Sequence, residues 1–248
     1  MINKRNIETL VSFLGDNKES YFLIGGNAVA MHLDKLGTGF RRTEDFDIVL
    51  VTKIDNSSFS KRIADLLTDG GYENKYRNEK KTAYRFEKPK SAGYPKVIEF
   101  FTKEGEFPQS LDNRFAKLNI EVDEEKISAI VLDSDVYEFA KRHVVYDYVL
   151  PIVDIKGLIA LKSLAYFKNL ELFNQKLVDS NDYAKHRKDI YRLLMILTDF
   201  EPIKDLPESL KTTLNSFLPV LEKSNDLAIS YKTNLNEVVN AHKRITQL

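Results

Sequence analysis

Hydrophobic positions in the first 150 residues switch between two periods. Ile7, Leu10, Val11 and Leu14 recur at helical spacing and predict a helix over 6–14, stopped at Gly15. The run Tyr21-Phe22-Leu23-Ile24 predicts a short buried strand closed by Gly25-Gly26. Residues 27–34 return to a helical pattern through Ala28, Val29, Met31 and Leu33. After the Gly37-Thr38-Gly39 loop, Ile48-Val49-Leu50-Val51 carries a β-branched strand over 46–51. Phe59, Ile63, Leu66 and Leu67 predict a helix over 57–69, and 82–86 and 96–101 read as two more strands. Residues 103–118 show no period that places them; a strand over 128–132 and a helix over 134–142 follow. Strand and helix in alternation predict an α/β sheet with helical cover.

The texture changes near Pro151. From there the apolar spacing is helical throughout, over about 153–169, 181–198, 207–222 and 234–246, punctuated by Pro202, Pro207 and Pro219. The expectation is a two-domain chain, an α/β domain over 1–150 and an all-helical bundle over 151–248.

Composition narrows the chemistry. The chain has 248 residues and no Cys, which removes disulfides, thiolate metal sites and cysteine nucleophiles. Its 37 basic and 37 acidic side chains cancel, so no global field draws it to nucleic acid or lipid. No apolar run approaches the roughly 20 residues of a membrane span. Met1-Ile2-Asn3-Lys4-Arg5 leads into Glu8 and Asp16 without an apolar export segment, so a soluble cytoplasmic protein is expected. His32, His143, His186 and His242 lack metal-ligand spacing, and neither a Gly-x-Ser-x-Gly elbow nor a P-loop is present.

Three pieces of the first half carry candidate chemistry. Gly25-Gly26-Asn27 follows a strand and opens a helix, where backbone N–H groups and the helix dipole suit a phosphate; ligand-free turns share this pattern. In Arg41-Arg42-Thr43-Glu44-Asp45-Phe46-Asp47, the two Asp residues are two apart, so in extended chain their carboxylates share a face. Such a pair suits Mg²⁺ or Mn²⁺, completed by phosphate oxygens and water; the alternative is an acidic strand end facing solvent. Glu99, in Lys96-Val97-Ile98-Glu99-Phe100-Phe101, is costly to bury without a partner. Cations shared with Asp45 and Asp47 would supply one; the alternative is an edge-strand Glu reaching water.

Gly-Gly-x-Ala, then Arg-x-Thr-x-Asp-x-Asp, then a third acid on a later strand resembles the nucleotidyltransferase superfamily that includes DNA polymerase β, and within it the AbiEii-type toxin branch. The matching residues are Gly25, Gly26, Ala28, Arg41, Thr43, Asp45, Asp47 and Glu99. The resemblance implies a nucleotidyltransferase fold, a mixed sheet with helices, before the helical bundle. It implies that Gly25, Gly26, Asn27, Arg41 and Thr43 bind an NTP, that Asp45, Asp47 and Glu99 hold Mg²⁺ or Mn²⁺, and that Glu99 helps to activate the attacking hydroxyl. Two departures stand out: Asn27 replaces the hydroxyl residue of many members, and Glu99 replaces the usual Asp.

The resemblance continues through Pro151–Lys162 and through Lys185-His186-Arg187-Lys188-Asp189. Lys162 has Leu158, Ile159, Ala165 and Tyr166 as same-face neighbours, so its ammonium either reaches solvent or neutralises a triphosphate or Asp189. The reading counts Lys162 and Asp189 with the catalytic residues, gives Lys162 a nucleotide contact, and expects Lys162→Met to leave stability intact. Lys185, Arg187, Lys188 and Arg192 either meet acceptor phosphates or form a solvated basic face.

The expected reaction is Mg²⁺-dependent transfer of a nucleotidyl group from NTP to an acceptor hydroxyl. A tRNA 3′ end as acceptor and a cognate antitoxin as partner are what the toxin resemblance implies. The alternatives are a non-catalytic binding module with this fold and a small-molecule nucleotidyltransferase of the antibiotic-resistance type.

Overall fold

Two apolar runs, Tyr21–Ile24 (β1) and Asp45–Leu50 (β2), pair antiparallel in a mixed sheet. The computed structural model describes residues 3–41, 43–51, 58–75, 85–105, 115–122 and 125–247. These divide into two compact units, Met1–Val153 and Asp154–Leu248.

The first unit holds nine described strands. The others are Glu73–Lys75 (β3), Arg85–Glu87 (β4), Val97–Lys103 (β5), Phe115–Val122 (β6), Glu125–Leu132 (β7), Val144–Val145 (β8) and Ile152–Val153 (β9). Their order is β3-β4-β5-β2-β1-β9-β8, with β6 joined through β7. β5 is parallel to β2 on one side. On its other side it takes β4 antiparallel along Val97–Glu99 and β7 parallel along Phe101–Lys103. β1 pairs parallel with β9 at Leu23 and Ile152.

Among the described residues this unit holds four α-helices: Lys4–Leu14 (α1), Gly25–Lys35 (α2), Ser58–Gly70 (α3) and Ser134–Arg142 (α4). α3 buries Phe59, Ile63, Leu66 and Leu67, the stripe its spacing predicts. α1 differs: Leu10 and Leu14 are buried with Asn6, while Val11 is exposed, because the seam follows an i, i+4 line.

The second unit is helical: Ile155–Asn174 (α5), Ser180–Met195 (α6), Glu208–Glu222 (α7), Asn225–Tyr231 (α8) and Leu235–Thr246 (α9). α5 packs on α6 and α7, and α9 on the same two. Leu158, Ile190, Tyr191, Leu214, Phe217 and Ile245 form its core. Among the described residues no helix is long and apolar enough to cross a membrane.

Several expectations change. The helix expected from residue 153 starts at Ile155; Ile152 and Val153 are strand, and Asp154 caps the helix by accepting from the Gly157 N–H at 2.7 Å. The helix expected over 207–222 is found, with Pro219 inside it and buried Phe217 and Leu221 on either side holding the last turn. β3, β8, β9 and α8 were not expected from the spacing. The unplaced stretch 103–118 contains the start of β6, while 106–114 lies outside the described residues, as do Arg42, residue 57 and most of the strand expected over 82–86.

Candidate active site

The turn that leaves β1 is built for close approach. Gly25 has φ +73°, a backbone conformation that L side chains rarely adopt, and a Cβ added there would overlap the Asp47 carboxylate. A Cβ on Gly26 would lie 2.6 Å from Thr43 Oγ1 and 3.5 Å from Arg41 Nη2. Two glycines therefore let a carboxylate, a hydroxyl and a guanidinium close on one backbone segment. That segment opens α2, whose N-cap residue, Ile24, makes no side-chain cap and whose first turn holds no acidic residue. Unpaired N–H groups at a helix start favour anions.

Asn27 also has a structural contact. It is buried, and its Nδ2 donates to the Asp45 carbonyl oxygen at 2.8 Å, tying the start of α2 to the start of β2. The glycine turn and the acid-bearing strand are thus held together through the residue that replaces the family hydroxyl.

The acids are set by strand register. Asp47 stands opposite Glu99, and Asp45 opposite Val97, in the β2–β5 pairing. Arg85 stands opposite Glu99, and Glu87 opposite Val97, in the β4–β5 pairing. Residues opposite each other across strands share a face. Asp45, Asp47, Glu87, Glu99 and Arg85 therefore emerge on one side of the sheet. Phe46, Ile48, Phe86, Ile98 and Phe100 take the other side, none more than 2% exposed.

Arg85 was not singled out by the sequence. Its Nη1 donates to Glu99 Oε1 at 2.6 Å and its Nε to Glu87 Oε2 at 3.1 Å. The partner that Glu99 needed is thus a guanidinium on the neighbouring strand. Burial alone would pull the Arg85 pKa down. The hydrogen bond and charge of Glu99, with Glu87 and Asp45 behind them, more than reverse this and hold it above its ordinary value.

Among the described residues no three His, Asp or Glu side chains gather around one point as a ready-made cation cage. The donor chemistry fits a divalent cation in another way. Mg²⁺ typically takes one or two carboxylates and leaves its other positions to phosphate oxygens and water. Asp45 and Asp47 are such a pair, beside a turn suited to phosphate.

Lys162 and Asp189 both lie in the second unit and pair there. Nζ and Oδ2 are 2.9 Å apart, with side-chain exposures of 6% and 1%. Of the two outcomes open to Lys162, neutralising Asp189 is the one found in the free chain. Its neighbours Leu158, Ile159 and Tyr166 are buried, as the helical spacing predicts. The Lys162–Asp189 pairing bears on the expectation that Lys162→Met leaves stability intact, because the substitution would strip a buried carboxylate of this cation. Of the basic residues on α6, Arg187 pairs with Asp226, Lys185 with Asp182, and Arg192 lies over the Tyr231 ring.

No curated protein matches the chain. Solved structures are similar at low identity, among them the following three. A Helicobacter pylori protein assigned as a nucleotidyltransferase aligns at 15% identity and a TM-score of 0.41, over 99% of this chain and 92% of its own. JHP933 of Helicobacter pylori aligns at 15% and 0.39, over 99% and 89%. The Megavirus polyadenylate synthase aligns at 12% and 0.39, over 89% and 38%. At these scores a structural likeness does not carry activity across. The family described as "Nucleotidyl transferase AbiEii toxin, Type IV TA system" matches residues 10–238, nearly the whole chain. The chain that sets a glycine turn against paired aspartates in this way belongs to the AbiEii nucleotidyltransferase toxin family of type IV toxin–antitoxin systems.

Proposed function

We propose that this nucleotidyltransferase moves a nucleotidyl group from an NTP to the 3′-terminal hydroxyl of an RNA, a tRNA by family resemblance, and releases pyrophosphate. The acceptor oxygen forms a bond to the α-phosphorus, the bond from that phosphorus to the bridging oxygen breaks, and the hydroxyl proton passes to Glu99. The observation that carries this reading is the meeting of Asp47, Thr43 and Arg41 on the Gly25–Gly26 turn. The α2 N–H groups, the Thr43 hydroxyl and the Arg41 guanidinium bind the triphosphate. Asp45 and Asp47 hold Mg²⁺ or Mn²⁺, which when bound supplies Lewis-acid stabilisation of the charge gathering on the phosphates. Asn27 keeps the turn and the acid strand in register. Lys162 and Asp189 are paired with each other within the second unit.

In the same reading the two compact units are two domains, catalytic and helical. The protein works in the cytoplasm and is restrained by a cognate antitoxin. The test is calorimetry of Mn²⁺·NTP binding to the parent and to the Asp45→Asn/Asp47→Asn double variant. Binding by the parent and its loss in the variant are expected. Equal affinity in both would remove the acid pair from the site.

A further inference from the structure

Arg85 occupies a position that the transfer reaction does not explain. It is a cation on a face that also presents Asp45, Asp47, Glu87 and Glu99 on three adjacent strands. Carboxylates on one face of adjacent strands repel one another unless positive charge stands among them. The Arg85 fork supplies it, with one arm on Glu99 and one on Glu87. It is also placed by register rather than by chance. Arg85, Glu99 and Asp47 form one row across β4, β5 and β2, and the row ends beside the glycine turn.

We propose that Arg85 is a tethered counter-cation of the acid face: in the free chain it holds Glu99, and a divalent cation entering between Asp45 and Asp47 competes with it for the same carboxylate charge. This rests on the reading of Asp45 and Asp47 as cation ligands. Metal alone then binds weakly, because part of the negative charge is already neutralised. Arrival of the triphosphate shifts the balance, since phosphate oxygens add ligands that Arg85 does not occupy. Arg85 is in this account a positioning residue, acting through Glu99 and touching neither nucleotide nor acceptor.

The experiment measures Mn²⁺ binding to the full chain without nucleotide, by electron paramagnetic resonance of free Mn²⁺. Removing a unit positive charge a few ångströms from a bound cation is worth about tenfold in affinity or more at protein-surface dielectric. Arg85→Gln is therefore expected to bind Mn²⁺ about tenfold more tightly than the parent. Arg85→Lys, which keeps the charge, should stay near the parent. The gain should vanish when Glu99→Gln is added, because the freed carboxylate is its source. The Arg85 side chain is 25% exposed and its two carboxylate partners are also largely buried, so circular dichroism checks that each variant keeps the parent fold. Arg85→Met serves the same comparison should the amide disturb the strand. Arg85→Gln and Arg85→Met binding Mn²⁺ no more tightly than the parent would overturn the proposal. If Mn²⁺ binding vanishes with Asp45→Asn yet ignores Arg85, only the counter-cation role falls. If it survives loss of both Asp45 and Asp47, the reading of the acid pair falls with it.

Discussion

Removing the ammonium of Lys162 strips the Asp189 carboxylate, itself 1% exposed, of the cation 2.9 Å away. Breaking one side of a buried pair typically costs about 3–5 kcal/mol, whereas replacing both sides with apolar groups is often neutral. Lys162→Met should therefore lower the chemical-denaturation stability of the helical unit by about that much. Adding Asp189→Leu should recover most of the loss. A Lys162→Met protein as stable as the parent would show that Asp189 does not depend on this lysine. Gly25 makes a different demand at the same scale. Its positive φ and the carboxylate lying against its α-carbon exclude any side chain, so the residue is fixed by geometry on both counts. Asn27 adds a role that residue type does not show: its side-chain amide donates to the Asp45 backbone.

The long elements were legible because their burial follows their spacing. α3 buries the stripe read from the sequence, and β2 and β5 place Phe46, Ile48, Ile98 and Phe100 on the core side. Elements of two or three residues, such as β8 and β9, carry too few positions for a period to appear. α9 adds something that periodicity cannot show. Its stripe includes His242, fully buried, with neither ring nitrogen hydrogen-bonded. Burial, aided by the Lys243 charge, pushes its pKa from the ordinary 6.5 down to about 4. The unfolded chain takes up a proton below pH 6.5 that the folded chain refuses until about pH 4. Stability present above pH 6.5 is thus lost as the pH falls through this window, on the order of 3 kcal/mol in all. Thermal melts followed by helical circular dichroism should show a smaller loss between pH 7 and about 4.5 for His242→Leu than for the parent. Equal losses in the two proteins would place the acid sensitivity elsewhere.

Across the whole chain, the site was readable where it depends on local sequence and unreadable where it depends on pairing between distant strands. Asp45 and Asp47 share a face because strand side chains alternate, and the glycine turn follows from strand, Gly-Gly and helix in succession. Arg85 and Glu99 meet only through the antiparallel register of β4 on β5, which no local pattern encodes. The same holds for Glu99 opposite Asp47, which neighbouring strands made plausible and register made specific. The central claim is that this face transfers a nucleotidyl group. It is tested most directly by incubating the chain with Mg²⁺, total RNA and each NTP labelled in turn at the α- or the γ-phosphate. The account predicts that one or more α-labelled NTPs mark RNA of tRNA size, that the γ-label leaves as pyrophosphate, and that Asp45→Asn/Asp47→Asn abolishes the transfer. Label reaching RNA from the γ-phosphate, or α-label transferred equally by the double variant, would contradict it.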